Sequence, residues 1–337
     1  MVVLLTWQPT AVELDLVERT WSSGGEVLRM HDLSPAELDA ALPTVDVMVG
    51  YMRTIPKDLL PKAERLRLVH VLGHGVDSLL TDEVVGGLRD RGVLVARSNP
   101  CAIPMAEFVL MAMIALTRRT VRLHNALSRD GDWSTALAAR RAEGVLGGEL
   151  HGSTLGLVGY GNIAREVHAR ASAFGMRVGA VMRRPEHAEG AGLDVVRPWQ
   201  ELDGFLGECD YVVPCIPLTA HTRHLLDADR IGAMRPGSYL VNVCRGALVD
   251  EDALYDALGS GHLAGAALDV FEREDVEGRN GYPSRRPLHA YNTILTPHYS
   301  GATAEARQRA LTTVGDNLRR LAGGEELRNL VRLDEGY

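Results

Sequence analysis

Residues 153–164 read STLGLVGYGNIA, and this stretch decides the fold. An apolar run ends in GYGNIA, and the helical sequence REVHARASAFG follows it. A GxGxxA pattern between a strand and a helix is typical of the phosphate loop of a dinucleotide-binding domain. Gly159 would allow the tight turn, Gly161 would let a diphosphate approach the backbone, and Ala164 would let the helix pack closely on the strand. An ordinary glycine turn is the alternative.

Alternating strands and helices extend the pattern on both sides of this loop. Short apolar runs separated by amphipathic segments predict parallel sheets covered by helices. At 337 residues the chain is long enough for two such domains. We therefore predict an α/β protein with two Rossmann-like, parallel-sheet domains. The predicted strands are VVLLTW, VDVMVGYM, LRLVHVLG and VLVARS in the first series, and STLGLVGYG, RVGAVMRR, YVVPCIP, SYLVNVCRG, GAALDV and TILTP in the second.

Two long helices are also predicted. The segment PMAEFVLMAMIALTRRTVRL, from Pro104, is apolar around nearly its whole circumference, so we expect it to be buried between domains or subunits. The segment ATAEARQRALTTVGDNLRRLAGG follows the last strand and is predicted to form an amphipathic helix.

The second strand of the central series, RVGAVMRR, bears on the choice of cofactor. An NAD site usually has an acidic residue at this strand end, where it accepts the ribose hydroxyls. Here Met182 stands at that position and is followed by Arg183 and Arg184. Two guanidinium groups suit a 2′-phosphate, so NADP(H) is favoured and NAD(H) is the alternative. The two arginines could instead be solvated surface residues.

Three further strand ends carry groups that suit acid–base chemistry. Arg245 follows VNVC at the end of an apolar strand, where open α/β sheets bind ligands. The strand GAALDV ends in an acidic loop, and TILTP ends at His298. A lone histidine after a strand is more often structural, but three such ends converge on one rim. From periodicity alone, no one of the acidic residues stands out.

Composition excludes several classes of protein. The formal charge of −8 argues against a nonspecific nucleic-acid surface, and no apolar run is long enough to cross a bilayer. The N-terminal MVVLLTWQPT lacks a basic leader and is interpreted as a first strand. The four cysteines have no CxxC spacing, so we expect neither a metal site nor a redox dithiol, and reduced cysteines in a cytoplasmic location.

The motifs LGHGVD, MAEFVL, LHGSTLGLVGYGNIA, PLTAHTRHLL, VNVCRGALVDEDAL, GAALDVFEREDV and TPHYSGAT occur in this order. In these motifs the chain resembles the D-isomer-specific 2-hydroxyacid dehydrogenases over nearly its full length, and the NADP-preferring glyoxylate/hydroxypyruvate reductase type in particular. The resemblance implies a discontinuous, flavodoxin-like substrate domain, residues 1–98 and 299–337, with an inserted nucleotide-binding Rossmann domain, residues 99–298. It also implies a homodimer formed through the helix from Pro104 and the arm that follows, through Trp133.

The resemblance assigns roles by motif position. Arg245 would bind the substrate carboxylate and polarise the 2-oxo group, His298 would be the acid and base, and Glu274 would be its partner and favour the imidazolium form. Asp269 would contact the nicotinamide carboxamide. The implied cofactor-binding residues are Gly159, Gly161, Asn162, Ile163, Arg183, Arg184, Cys215, Pro217, Val243, Cys244 and Asp269, and the implied substrate-binding residues are Met52, His74, Gly75, Val76 and Arg245.

Two departures from the family pattern keep the substrate open. Asp275 replaces the usual proline after Glu274, and His74 stands where many members have a small residue. Glyoxylate, hydroxypyruvate and larger 2-oxo acids all suit the site, most simply in the reducing direction. A phosphite or phosphonate-analogue dehydrogenase is an alternative, because Met52, Arg53, His74 and Arg307 could border the pocket. Formate oxidation is less favoured, and a nucleotide-sensing corepressor or scaffold is the alternative outside enzymes.

Overall fold

The computed structural model describes residues 1–21, 25–134, 146–274 and 283–333. The chain divides into two compact units, Met1–Cys101 with Ala302–Tyr337, and Ala102–Gly301. The predicted class, α/β with two parallel sheets, is confirmed. The assignment of substrate binding to the first unit and cofactor binding to the second stays a prediction.

Strands β1 to β5 belong to the first unit and β6 to β12 to the second, and every pairing between neighbours is parallel. The strands are β1 Val2–Leu5, β2 Glu26–Arg29, β3 Val47–Gly50, β4 Leu68–Val71, β5 Leu94–Arg97, β6 Thr154–Val158, β7 Arg177–Met182, β8 Val195–Pro198, β9 Tyr211–Pro214, β10 Ser238–Asn242, β11 Leu263–Leu268 and β12 Thr293–Leu295.

The described α-helices up to Gly259 lie between strands, as expected for parallel sheets with crossover connections, and the last one follows the final strand. Among the residues that the structure describes, none of the helices is both long enough and apolar enough to cross a membrane. The described helices are α1 Ala11–Thr20, α2 Pro35–Ala41, α3 Asp82–Asp90, α4 Ala102–Thr117, α5 Thr120–Asp130, α6 Asn162–Ala173, α7 Leu202–Gly207, α8 Ala228–Ala233, α9 Glu251–Gly259 and α10 Ala304–Gly323.

The first unit has the strand order β2-β1-β3-β4-β5, which is that of flavodoxin-like folds. Its core strands are buried on both faces, and β3 and β4 are buried along their whole length. Helix α1 begins with a capping box, in which Thr10 accepts from the backbone of Glu13 and Glu13 accepts from the backbone of Thr10. Helix α10 packs its apolar face on this unit, so the C-terminal segment completes the core of the N-terminal one.

The second unit has the strand order β12-β11-β10-β9-β6-β7-β8. The chain runs outward from β6 through β7 to β8 and then returns to the other side of β6 with β9. The direction of winding therefore reverses between β6 and β9, and in open α/β sheets ligands bind beyond the carboxyl ends of the strands at such a point. The phosphate-loop sequence follows β6 directly.

Two local features differ from the sequence-based predictions, and a third agrees with them. The strands β2 and β8 were missing from the predicted series, because both are short edge strands with partly exposed side chains. The predicted helix from Pro104 begins at Ala102 and is interrupted after Thr117, where Arg119 adopts a left-handed conformation before α5. The amphipathic C-terminal helix is confirmed as α10.

Candidate active site

The turn after β6 has the geometry of a diphosphate-binding loop. Gly159 has φ +93°, and a Cβ on it would lie 2.5 Å from Ile216 Cγ2 and 2.9 Å from the Cys215 carbonyl oxygen, so only glycine fits. A Cβ on Gly161 would meet nothing within 4 Å, which leaves open space above the backbone. Among the described side chains, none caps the first turn of α6. Its N–H groups therefore suit a phosphate, and the loop fits a dinucleotide.

The small residue predicted to bring α6 close to the sheet is in place. Ala164 is fully buried and Ile163 is nearly so, whereas Asn162 is exposed at the start of the helix. The tyrosine inside the loop is held against the same helix, because the Tyr160 hydroxyl and His168 Nδ1 are hydrogen-bonded at 2.7 Å. The loop is thus held against α6 by the Tyr160–His168 hydrogen bond and by the close packing at Ala164.

Arginine side chains gather near the end of β7. Met182 is buried at the end of the strand, and Arg183 and Arg184 are exposed beyond it. Arg165, on the first turn of α6, lies over the Tyr160 ring at 4.7 Å and donates from Nη2 to the His187 carbonyl at 3.3 Å. Sequence reasoning missed Arg165, because only the fold shows that its guanidinium reaches the segment after Arg184.

The predicted residues beyond β9 and β10 lie at the crevice end of the sheet. Val243 and Cys244 are buried, Cys215 is partly exposed, and Pro217 is exposed. The Cys215 N–H donates to the Val158 carbonyl at 2.8 Å, which ties the segment after β9 to the end of β6. These residues are therefore placed beside the phosphate loop, and their contact with a cofactor stays a prediction.

Arg245 follows β10 and is held by its own turn. Its Nη1 donates to the Cys244 carbonyl at 2.7 Å, and its carbonyl accepts from Asn242 Nδ2 at 2.8 Å. The next residue must be glycine, because a Cβ on Gly246 would lie 1.9 Å from the carbonyl carbon of Phe271. The turn that carries Arg245 therefore packs directly on the loop after β11.

That loop carries Glu274 and is fixed to the start of α9. The Glu272 N–H donates to Glu251 Oε1 at 2.7 Å, and the Glu251 N–H donates to Glu272 Oε1 at 3.1 Å. Burial raises the pKa of Glu251. Glu274 Oε1 in turn accepts from the Phe271 N–H at 3.2 Å. The departure at Asp275 lies outside the described residues.

Two of the predicted catalytic side chains are in direct contact. His298 Nδ1 lies 2.7 Å from Glu274 Oε2, and the carboxylate can only accept, so Nδ1 is the donor. The remaining ring nitrogen, Nε2, is left to exchange a proton. The His298 side chain is 49% exposed, whereas that of Glu274 is 19% exposed. His298 has φ +54°, a conformation that needs support from its surroundings.

Asp269 supplies that support. The residue is fully buried, and its Oδ1 accepts from Thr296 Oγ1 at 2.6 Å and from the Tyr299 N–H at 2.7 Å. Its Oδ2 accepts from the Ser300 N–H at 2.8 Å, and its carbonyl accepts from the His298 N–H at 2.7 Å. Asp269 thus fixes the turn on both sides of His298. Contact with a nicotinamide carboxamide stays a prediction for this residue.

The predicted substrate residues of the first unit follow β3 and β4. Met52 Sδ accepts from the Ser78 N–H at 3.3 Å, and the His74 carbonyl accepts from Arg97 Nη1 at 3.0 Å. Gly75 is partly exposed and Val76 is buried. These residues are placed at the carboxyl ends of their strands, and their role in substrate binding stays a prediction.

Comparison with known proteins identifies the class that these features define, an α/β nucleotide-binding oxidoreductase. The profile described as D-isomer specific 2-hydroxyacid dehydrogenase, NAD binding domain, matches residues 110–300. The chain therefore belongs to the D-isomer-specific 2-hydroxyacid dehydrogenase family, whose members act on CH–OH donors with a nicotinamide dinucleotide.

Similar proteins cover nearly the whole chain. A hydroxypyruvate reductase of Thermotoga maritima is 33% identical over 84% of this chain and 87% of its own length. A D-3-phosphoglycerate dehydrogenase of Methanocaldococcus jannaschii is also 33% identical, over 92% of this chain, but the chain spans only 56% of that relative. A solved protein of Thermus thermophilus superposes with a TM-score of 0.77 at 33% identity, over 98% of this chain and 100% of that one.

Proposed function

We propose that this protein reduces the 2-oxo group of a small 2-oxo acid to a D-2-hydroxy acid, with NADPH as the favoured reductant. The observation that carries the proposal is the 2.7 Å contact between His298 Nδ1 and Glu274 Oε2. It lies in the same unit as the phosphate loop and as Arg245, which follows β10. A polarising cation and an acid–base pair at one edge of a nucleotide-binding sheet are the groups that hydride transfer to a carbonyl requires.

Arg245, His298 and Glu274 would each have a distinct role in this reaction. When bound, the nicotinamide supplies the hydride that the carbonyl carbon accepts. Arg245 pairs with the substrate carboxylate and polarises the 2-oxo group. His298 gives the proton on Nε2 to the oxygen during reduction and removes it in the reverse reaction. Glu274 accepts the hydrogen bond from His298 Nδ1, which fixes the orientation of the ring.

The preference for NADPH rests on the arginines near the end of β7. Arg183 and Arg184 are exposed, no carboxylate occupies the strand end at Met182, and Arg165 adds a third guanidinium nearby. A 2′-phosphate would accept charge-assisted hydrogen bonds from these guanidinium groups. NAD(H) is the alternative cofactor.

The test is the initial rate of NADPH and NADH oxidation with glyoxylate, hydroxypyruvate, pyruvate and a phenyl-substituted 2-oxo acid. We expect faster turnover with NADPH, and a KM for NADPH that rises about tenfold to a hundredfold in R183A/R184A, since one hydrogen bond to a charged group contributes about 1.5–3 kcal/mol and both arginines are exposed. R177A is the matched control, because Arg177 is exposed at the opposite end of the same strand. Equal turnover with NADH in the wild type would overturn the NADPH preference.

The substrate class is proposed from the site and from the similarity to a hydroxypyruvate reductase. The phosphite or phosphonate alternative depended on extra positive charge near the pocket. Arg307 forms an ion pair with the buried Glu13, so its charge is already compensated. No other observation favours a dianion, and the 2-oxo acid is the better candidate. Tight nucleotide binding without turnover on any 2-oxo acid would favour the corepressor alternative.

We also propose that the protein is a homodimer. Helices α4 and α5 expose large apolar side chains, among them Met111 at 45%, Val121 at 44%, Leu127 at 48% and, just beyond α5, Trp133 at 64%. A run of such residues on neighbouring helices suits the face of a second copy. Sedimentation of the wild type and of M111E/L127E would test this, and a wild-type monomer would overturn it. A cytoplasmic location stays a prediction.

A further inference from the structure

Arg165 connects the first turn of α6 to the segment that follows β7. Its Nη2 donates to the His187 carbonyl at 3.3 Å. The His187 N–H in turn donates to the Arg184 carbonyl at 3.1 Å, which closes a tight turn directly after the strand. The guanidinium of Arg165 therefore lies beside the segment that begins with Arg183 and Arg184, although it comes from a different element.

The ring of Tyr160, in the phosphate loop, supports the same guanidinium. Arg165 Cζ lies over this ring, 4.7 Å from its centroid, a distance at which an aromatic face attracts a cation. The ring is itself held in place, because the Tyr160 hydroxyl and His168 Nδ1 are hydrogen-bonded at 2.7 Å and His168 is buried. A buried histidine thus orients the tyrosine, and the tyrosine orients the arginine.

The two elements that Arg165 connects border the place where a dinucleotide puts its adenosine ribose. In open α/β nucleotide-binding sheets, this ribose lies beside the end of the strand that follows the phosphate-loop helix, which is β7 here. The Gly159 N–H donates to the Val181 carbonyl at 2.8 Å, so the phosphate loop is fixed next to that strand end. An anion on the ribose 2′-oxygen would therefore lie within reach of the Arg165 side chain.

The Arg165 guanidinium keeps donors for such an anion. It has five N–H groups, and its bond to the His187 carbonyl uses one of them. The adjacent carboxylate, that of Glu166, accepts from Arg170 Nη1 at 2.5 Å, and no ion pair of Arg165 occurs within the described parts of the chain. Because two contacts already restrain this exposed side chain, binding an anion would cost it little rotamer entropy.

We propose that Arg165, oriented by Tyr160, is a specificity-determining residue that binds the 2′-phosphate of NADP(H). Tyr160 is a positioning residue, because it acts through the arginine. The inference rests on the proposed function, since it requires a nucleotide with a 2′-phosphate at the end of β7. It goes beyond a general excess of positive charge there, because it assigns recognition to an oriented guanidinium that the phosphate loop and α6 supply.

The test measures the binding of three nucleotides to the purified, full-length protein by calorimetric titration. Adenosine 2′,5′-bisphosphate carries the 2′-phosphate, adenosine 5′-monophosphate lacks it, and adenosine 3′,5′-bisphosphate carries the same group on the neighbouring oxygen. We expect R165A to weaken binding of the 2′,5′-bisphosphate about tenfold, through the loss of a charge-assisted hydrogen bond. Binding of the other two nucleotides should stay close to that of the wild type, which also shows that the variant is folded.

Variants of Tyr160 test its positioning role. Y160L removes the aromatic face and should weaken binding of the 2′,5′-bisphosphate by about twofold to fivefold, the range for an exposed cation–π contact. Y160F keeps that face and should bind more tightly than Y160L. The double variant Y160L/R165A should bind no more weakly than R165A, because removing the arginine already removes the effect of the ring. R177A is the control, since Arg177 is exposed at the opposite end of β7.

Two results would overturn the inference and leave the NADPH preference intact. One is unchanged binding of the 2′,5′-bisphosphate to R165A, together with a loss in R183A/R184A. The other is an equal loss for the 2′,5′- and 3′,5′-bisphosphates, which would make Arg165 a nonspecific positive charge. A wild type that binds the 2′,5′-bisphosphate no more tightly than the monophosphate would overturn the NADPH preference and this inference together. Additive losses in Y160L/R165A would overturn the positioning role of Tyr160.

Discussion

The histidine inside the sheet of the first unit and the histidine beyond the last strand of the second differ in burial and in the group that contacts the ring. His70 lies in β4, is fully buried, and has its pKa lowered by burial to about 4. His298 lies three residues beyond β12, is half exposed, and faces the carboxylate of Glu274. Burial thus keeps His70 neutral inside one sheet, whereas His298 is accessible at the edge of the other.

The hydrogen-bond partner of each ring decides whether the contacted nitrogen donates or accepts. Asn317 Oδ1 accepts from the Arg328 N–H at 2.8 Å, so its amide nitrogen is the group 3.0 Å from His70 Nε2. That nitrogen donates, and Nε2 must therefore accept, which is the role of a neutral ring. At His298 the partner is a carboxylate that accepts, so Nδ1 donates. A histidine's partner, rather than its place on a strand, separates a structural role from a chemical one.

The largest effect is expected from replacing His298 with asparagine. Asparagine tolerates a left-handed backbone, so the turn should keep its shape. Loss of the acid–base group should lower kcat about 10²-fold to 10⁴-fold while NADPH affinity stays unchanged. Steady-state kinetics and nucleotide titration measure the two quantities, and H31N, at an exposed histidine of the first unit, is the control. A kcat for H298N within a few-fold of the wild-type value would show that His298 does not transfer the proton.

A smaller effect, on the free energy of unfolding, is expected from the protonation of His70. Its pKa is about 4 in the folded protein against 6.5 for an ordinary histidine, so the unfolded chain binds more protons between these values. The stabilisation of the folded protein by neutral His70 is present above pH 6.5 and is lost as the pH falls toward 4. The full pKa difference corresponds to about 3 kcal/mol of unfolding free energy.

H70Q tests this contribution, because glutamine keeps an acceptor but does not titrate. Urea unfolding can be followed by Trp7 and Trp21, which lie in the core of the first unit, in a background where Trp133 and Trp199 are phenylalanine. The difference in unfolding free energy between the wild type and H70Q should narrow from pH 7 to pH 4. A constant difference over this range would show that His70 titrates normally.

The same contrast explains what the sequence could predict. The apolar runs and the GxGxxA turn predict both parallel sheets, since the period of the pattern and the glycine requirement at Gly159 are local properties. Motif positions identified Glu274 and His298 as partners although 24 residues separate them, and the structure places them in contact. Local patterns and motif order are therefore sufficient to predict the fold class and the pairing of Glu274 with His298.

Features that depend on tertiary packing were beyond the sequence. Arg165 reaches the segment after β7 only because α6 packs beside it, and the break at Arg119 follows no proline or glycine. The sequence also did not indicate that Asp269 supports the turn at His298. No periodic pattern in a sequence identifies the hydrogen-bond donors to an aspartate that precedes a long loop. Only the pairing of β11 with β12 brings those donors to Asp269.

The smallest effect is expected from Thr296, whose hydroxyl donates to Asp269 Oδ1 at 2.6 Å. T296V removes this bond and leaves the Tyr299 and Ser300 N–H groups on the carboxylate. Because the bond orients His298 without touching its ring, kcat should fall by about threefold to tenfold, which corresponds to a net contribution on the order of 1 kcal/mol.

T296S should restore kcat, because serine keeps the hydroxyl and loses only a methyl group. T313V is the matched control, since Thr313 makes a comparable hydroxyl-to-carbonyl bond inside α10. NADPH affinity should be unchanged in all three variants. If T296V matched the wild type while H298N was inactive, the backbone donors alone would hold the turn. The contrast with His70 would then rest on the Glu274 carboxylate, on exposure and on the backbone bonds to Asp269, and not on the Thr296 hydroxyl.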